Sequence, residues 1–237
     1  MIWLNPLFIA VIRILAPLLV RLDAREMTRI PKKGPFILAM NHVNFLDGPI
    51  LLARLFPRRV VSLAKKETWD NPLLGFAATS IGAIPITRGG ADPTALRQVS
   101  KVLAEGGFLY INPEGTRSRD GVLRGGKAGV VAIAQRTGAP LIPLAFEGLE
   151  GFGDSIRKLR RTPAILHVGE AFDLVQSTRD TEKETRIPDK LRREAIVDEV
   201  MCRIAALLPE SKRGPWAGAS RQDWRYTKTR GERNPGE

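Results

Sequence analysis

Residues 35–65 read PFILAMNHVNFLDGPILLARLFPRRVVSLAK, and their pattern decides the fold. Pro35–Met40 is a short apolar run bounded by Gly34 and Asn41, the signature of a buried strand. A polar loop follows, then residues 48–56 repeat apolar side chains at helical spacing, and 59–64 (RVVSLA) is again strand-like. Strand, helix and strand within thirty residues is the unit of a parallel sheet covered by helices. The same rhythm continues downstream. Strands are expected at 83–87, 107–112, 140–146 and 164–168, with helices at 67–80, 93–105, 126–137 and 188–208. The helix at 93–105 has the clearest ends, with Asp92 as cap, Pro93 in the first turn and Gly106-Gly107 behind it. The fold class is therefore α/β, with a mixed, largely parallel sheet flanked by helices.

Outside this core the composition changes. The first twenty residues, MIWLNPLFIAVIRILAPLLV, carry one charge, Arg13, and the cations follow them. A cleaved signal would have its positive charges first. A spanning helix needs about 20 apolar residues without a central charge, so a helix lying in a membrane interface fits better, with packing on the protein's own core as the alternative. After Pro209 no apolar period survives. Residues 211–237 hold seven basic and three acidic side chains, interleaved with Trp216, Trp224 and Tyr226, and read as a flexible basic tail. The expected organisation is a membrane-associated segment over 1–30, a domain over 31–209 and a tail over 210–237.

The chain of 237 residues has 37 Lys+Arg against 25 Asp+Glu, a formal charge of +12. Such an excess suits phosphate-bearing partners: nucleic acid, anionic lipid or a phosphorylated small molecule. One cysteine, Cys202, excludes an internal disulfide and a multi-cysteine metal site, and two histidines exclude a three-histidine centre. No metal is expected. No G-x-S-x-G elbow occurs, which argues against a serine hydrolase. The cations gather at strand ends rather than along one basic helix, so no specific nucleic acid is expected. A second basic group, Arg157, Lys158, Arg160 and Arg161, suits a solvated face or a membrane surface, and His167 in its late strand reads as structural.

Two loops carry chemistry. In Asn41-His42-Val43-Asn44-Phe45-Leu46-Asp47 a histidine leaves a buried strand where open α/β sheets hold ligands. A turn through Asn44–Leu46 would bring Asp47 back onto the imidazole, fix its tautomer and leave the other ring nitrogen as a general base. Alternatively, Asp47 caps the helix that begins at Gly48. The second loop, Asn112-Pro113-Glu114-Gly115-Thr116-Arg117-Ser118-Arg119, offers a bending backbone, hydroxyls and guanidiniums that suit phosphate. It too reads equally as an ordinary turn. Lys127 lies just beyond it, and Arg88, Lys65 and Lys66 lie at other strand ends.

NHVNFLD, GAIPITR, PEGTRSR and PLIPLAF, in this order over 41–146, resemble the glycerolipid acyltransferase family. The resemblance implies an α/β acyltransferase at the cytoplasmic face of the inner membrane. Its donor would be acyl-CoA or acyl-carrier protein, with no further cofactor, and its acceptor the sn-2 hydroxyl of a lysophosphatidic acid, with a lysophospholipid, a lyso-aminolipid or glycerol-3-phosphate as the alternative. His42 and Asp47 would be the catalytic dyad. Glu114, Gly115, Thr116 and Arg117 would hold the acceptor phosphate with Arg88, assisted by Lys65, Lys66 or Lys127. A non-catalytic lipid-binding or nucleic-acid-binding protein is the alternative of another class.

Overall fold

The computed structural model describes residues 4–87, 92–175, 189–218 and 224–230. Within them one mixed sheet carries the fold. β2 (Phe36–Met40) lies at its centre, hydrogen-bonded in parallel to β5 (Phe108–Ile111) on one side and β6 (Leu141–Glu147) on the other. β3 (Val60–Lys65) and β4 (Ala83–Ile86) continue the parallel sheet beyond β5. Beyond β6 come β7 (Thr162–Val168), antiparallel to it, and β1 (Val20–Asp23), parallel to β7. The order is β1-β7-β6-β2-β5-β3-β4. The chain therefore leaves β2 toward β3 and later crosses back over it to reach β6, which opens a crevice at the carboxyl end of β2.

Side-chain alternation divides the core. Ile37 and Ala39 point to one face, Leu38 and Met40 to the other, and all four are fully buried. α4 (Pro93–Ala104), α5 (Gly129–Thr137) and α7 (Asp189–Ala205) cover the first face. α2 (Asp47–Leu55) fills the second with Ile50, Leu51, Leu52 and Leu55. At about 1.5–3 kcal/mol for each fully buried aliphatic side chain, this two-sided burial outweighs local propensity and holds β2 rigid.

Several expectations are refined. The helix expected over 67–80 is a 3₁₀ turn, Lys66–Asp70, followed by α3 (Pro72–Ser80). Pro72 forces Asn71 into extended geometry, and the Asn71 side chain then caps Leu73 and Leu74. The helix expected from 126 begins at Gly129. α6 (Phe152–Arg157), between β6 and β7, was not anticipated.

α1 (Pro6–Leu19) forms as expected, but residues 1–30 are not wholly peripheral: Val20–Asp23 pairs with β7 as the edge strand. α1 packs by Ile9 against Ala53 of α2. The Arg13 guanidinium turns inward, donating to the carbonyls of Ala53 (2.9 Å) and Phe56 (2.8 Å), and lies over the Phe56 ring. Its charge thus closes the carboxyl end of α2, which favours cations. Among the described residues no helix is long and apolar enough to cross a membrane.

The flexible tail expected over 210–237 needs correction for its described part. Trp216 and Tyr226 are buried. β9 (Thr227–Thr229) pairs with β8 (Phe172–Leu174), which itself joins β6. The buried Arg203 of α7 donates to the hydroxyls of Thr227 and Thr229, its guanidinium lying against Phe172 and Trp224. A polar strand passes as tail in the sequence because its partners lie more than twenty residues away.

Candidate active site

Two asparagines fasten the carboxyl end of β2. The Asn41 side chain accepts from Phe146 N–H (2.8 Å) and donates to its carbonyl (2.9 Å), extending the β2–β6 ladder by one false residue. The Asn112 amide donates to the carbonyls of Met40 and Asn41, both at 3.0 Å. The loop that follows turns tightly, with Asn44 Oδ1 accepting from Leu46 N–H and Asn44 Nδ2 donating to Leu149 O.

This turn decides between the two readings of Asp47. Its carboxylate makes no bond to the helix it begins. Instead Oδ2 accepts Val43 N–H (2.8 Å) and Asn44 N–H (2.9 Å), and lies 2.9 Å from His42 Nδ1. Two amide donors and the positive end of α2 stabilise the carboxylate, and the carboxylate selects the tautomer with its proton on Nδ1. Asp47 is fully buried, while the His42 side chain keeps a quarter of its surface open. Nε2 is therefore left as a basic nitrogen beside solvent.

The backbone of His42 is clamped from the second loop. Its N–H donates to Glu114 Oε1 (2.8 Å), and its carbonyl accepts Ser118 N–H (2.7 Å). The other Glu114 oxygen accepts Arg124 N–H, also at 2.8 Å. Both oxygens of the buried Glu114 carboxylate, expected to help hold the acceptor phosphate, are thus engaged by backbone amides, and the side chain braces the two loops together. Burial pushes its carboxyl above the ordinary value, and the amides from His42 and Arg124 pull it partly back. Tyr110, wholly enclosed beside Gly48, has its phenol pushed well up, first by burial and then by the Asp47 charge.

Gly115 takes a left-handed φ of 65°, which turns the chain so that Thr116 and Arg117 stand exposed. Its own N–H closes the turn to Asn112 O. The Lys127 side chain runs directly over it, so a β-carbon at Gly115 would lie 3.2 Å from the Lys127 ammonium. The structure thus brings His42, Asp47, Glu114, Gly115, Thr116, Arg117 and Lys127 into two adjoining loops. Lys65 and Lys66 are not among them. Lys65 ends β3 and Lys66 begins the 3₁₀ turn after it, with β5 between β3 and β2, and Lys66 lies near Asp92 instead. Arg88 lies outside the described residues. Among those described, no group of three or more His, Cys, Asp or Glu side chains could hold a metal. His167 meets Glu147 of β6 at 3.1 Å. Burial is the main cause that pushes the Cys202 thiol up to about 11, a poor nucleophile. The fastening roles of Asn41, Asn112 and Ser118 were missed in the sequence. The available signal was an asparagine directly after each of two buried strands.

An α/β sheet whose central strand ends in a carboxylate-oriented histidine, braced by a cation-bearing loop, defines a class of His–Asp dyad proteins. The Acyltransferase family model matches residues 21–147, more than half of the chain, and the chain belongs to that family. It is 34% identical over 119 residues to a 1-acyl-sn-glycerol-3-phosphate acyltransferase of Bacillus subtilis, covering 50% of this chain and 59% of that one. A protein of the same name from Borreliella burgdorferi is 32% identical over 125 residues, covering 52% and 50%. The match thus spans about half the length of such curated relatives. The crystal structure of the 1-acyl-sn-glycerophosphate acyltransferase PlsC from Thermotoga maritima superposes with a TM-score of 0.52 at 26% identity, covering 76% of this chain and 72% of that one.

Proposed function

We propose that the protein moves a fatty acyl group from a thioester donor, acyl-CoA or acyl-carrier protein, to the sn-2 hydroxyl of 1-acyl-glycerol-3-phosphate. The product is phosphatidic acid. The observation that carries this reading is the 2.9 Å contact between His42 Nδ1 and the buried Asp47 carboxylate, with Nε2 left open. Nε2 takes the proton of the acceptor hydroxyl as its oxygen bonds to the thioester carbonyl carbon. The tetrahedral intermediate then collapses, the C–S bond breaks, and the proton passes to the departing thiolate. Asp47 stabilises the imidazolium between these steps. No acyl-enzyme is invoked, and no cofactor beyond the thioester. Backbone N–H groups of the loop around Gly115 would supply the donors for the developing oxyanion. Arg117, with Lys127 and Arg88, holds the acceptor phosphate and so fixes the hydroxyl near His42.

The names of the relatives favour lysophosphatidic acid as acceptor. The outward apolar side of α1 supports work at a membrane, taken to be the cytoplasmic face of the inner membrane. The test is purified protein assayed with one acyl-CoA against a panel of lyso-acceptors, beside His42→Ala. Acylation of lysophosphatidic acid, falling at least about a hundredfold in the variant, is expected. Activity only on a lysolipid with another headgroup would move the acceptor. Undiminished turnover in His42→Ala would overturn the dyad assignment.

A further inference from the structure

The turn between α6 and β7 has a composition that the dyad does not use. Residues 156–161 read IRKLRR, and Arg157, Lys158, Arg160 and Arg161 are all exposed. Among the described residues, Asp154, 3.7 Å from Arg157, is the one acidic partner paired with them. At the tip stands Leu159, 95% exposed, at φ 49°. A leucine in that left-handed region is strained where glycine or asparagine would sit without cost, and its side chain packs on nothing to compensate. Strain retained at a fully exposed apolar residue calls for a surface outside the chain.

Two contacts tie this turn to the rest of the molecule. Arg161 donates to Val20 O at 3.4 Å, so the cations follow directly on the last turn of α1, where Leu18 is 66% exposed. On its other side α6 presents Phe152, whose ring meets that of Phe45 edge-on at 5.9 Å. Phe45 belongs to the loop between His42 and Asp47 and is itself 58% exposed. An apolar, uncharged helix face, a leucine-tipped cationic turn and an exposed catalytic-loop aromatic therefore adjoin at one end of the sheet.

We infer that the α6–β7 turn is a second membrane contact, distinct from α1, which binds anionic phospholipid through Arg157, Lys158 and Arg160 while Leu159 enters the acyl region and brings the Phe45 side of the catalytic loop to the bilayer. The occupant is a lipid surface rather than an acidic protein. Four cations would serve either, but Leu159 and its continuity with the bare α1 face suit a hydrocarbon boundary. The inference rests on the reading that the protein works at a membrane.

The test uses the full chain with phosphatidylcholine vesicles, with and without phosphatidylglycerol. Each cation near an anionic surface is expected to contribute about fivefold in binding, so Arg157→Gln, Lys158→Gln and Arg160→Gln together should weaken binding to the mixed vesicles on the order of a hundredfold at low salt. Leu159→Ser should weaken it with the charge intact. All four side chains are exposed, so melting temperatures should not fall. Acylation of a short-chain lysophosphatidic acid dispersed as monomers should be unchanged, while acylation of bilayer-borne acceptor falls. Failure of all acylation would count against the enzymatic reading and leave the vesicle result intact. Equal binding of the unaltered chain to both vesicles, or equal vesicle binding by the triple variant, would overturn the inference. So would a variant that loses only its binding to acidic carrier protein.

Discussion

Replacing Glu114 by glutamine distinguishes a brace from a substrate contact. The carboxylate accepts two backbone amides, from His42 and Arg124, each at 2.8 Å and shielded from water. Glutamine is almost the same shape, but one of its terminal atoms becomes an NH₂ group facing an amide that also donates. One bond is lost and a buried N–H is left unmet. Leaving a buried donor unmet costs about 1–3 kcal/mol, and more where its partner was charged, so a loss of about 2–4 kcal/mol is expected. For a chain of this size that lowers the melting temperature by roughly 4–16 °C. Because one of the two amides is that of His42, kcat for acyl transfer should fall while the acceptor KM changes little. The pH dependence adds a second signature. Burial raises the folded-state pKa of Glu114 above 4.5. Between 4.5 and that raised value the folded chain keeps a proton that the unfolded chain has released. The group's contribution is therefore full below 4.5 and is lost as pH rises through the folded-state pKa. Glutamine does not titrate, so the pH dependence of the stability difference between the two proteins across that window reports Glu114. Thermal denaturation across pH, alongside steady-state kinetics, measures both. An unchanged melting temperature, or a raised acceptor KM with kcat intact, would refute the brace and return Glu114 to the phosphate.

Arg13→Met keeps the apolar stem but removes the donors to Ala53 and Phe56. It should cost about 1–2 kcal/mol in denaturant titration and speed hydrogen exchange in α1 and the last turn of α2. Trp216→Ala should cost about 3 kcal/mol or more by the same titration, since the indole is buried against the core; a flexible tail would give no change.

The strands of the parallel sheet were legible because each is a continuous apolar run between loop residues, and β2 is the clearest case. The dyad was legible as a possibility. Its decision needed the Asn44–Leu46 turn, a matter of three backbone conformations that no spacing encodes. What escaped reading shares a cause. β1, β9 and the partners of Arg203 are short, partly polar pieces whose stabilising neighbours lie far along the chain, as Val20 beside Thr162 illustrates. Glu114 was visible as a residue but its bracing bonds were not, because a carboxylate in a cationic loop looks like substrate chemistry until its burial is known. Lys65 and Lys66 were misplaced for a topological reason: strand order, not strand count, sets their distance from His42.

The double-ended carboxylate of Glu114 also limits how such a domain can be re-engineered. Loop 115–124 and the histidine loop hang from the same side chain. Grafting a different loop into this chain would replace the amide at position 124 and, with it, one of the two bonds that hold the Glu114 carboxylate beneath His42. A transplanted loop must therefore reproduce a backbone N–H at that point in space, whatever its sequence. The conformations of the two loops are, in this architecture, inherited together; on the proposed function, so are acceptor preference and proton transfer.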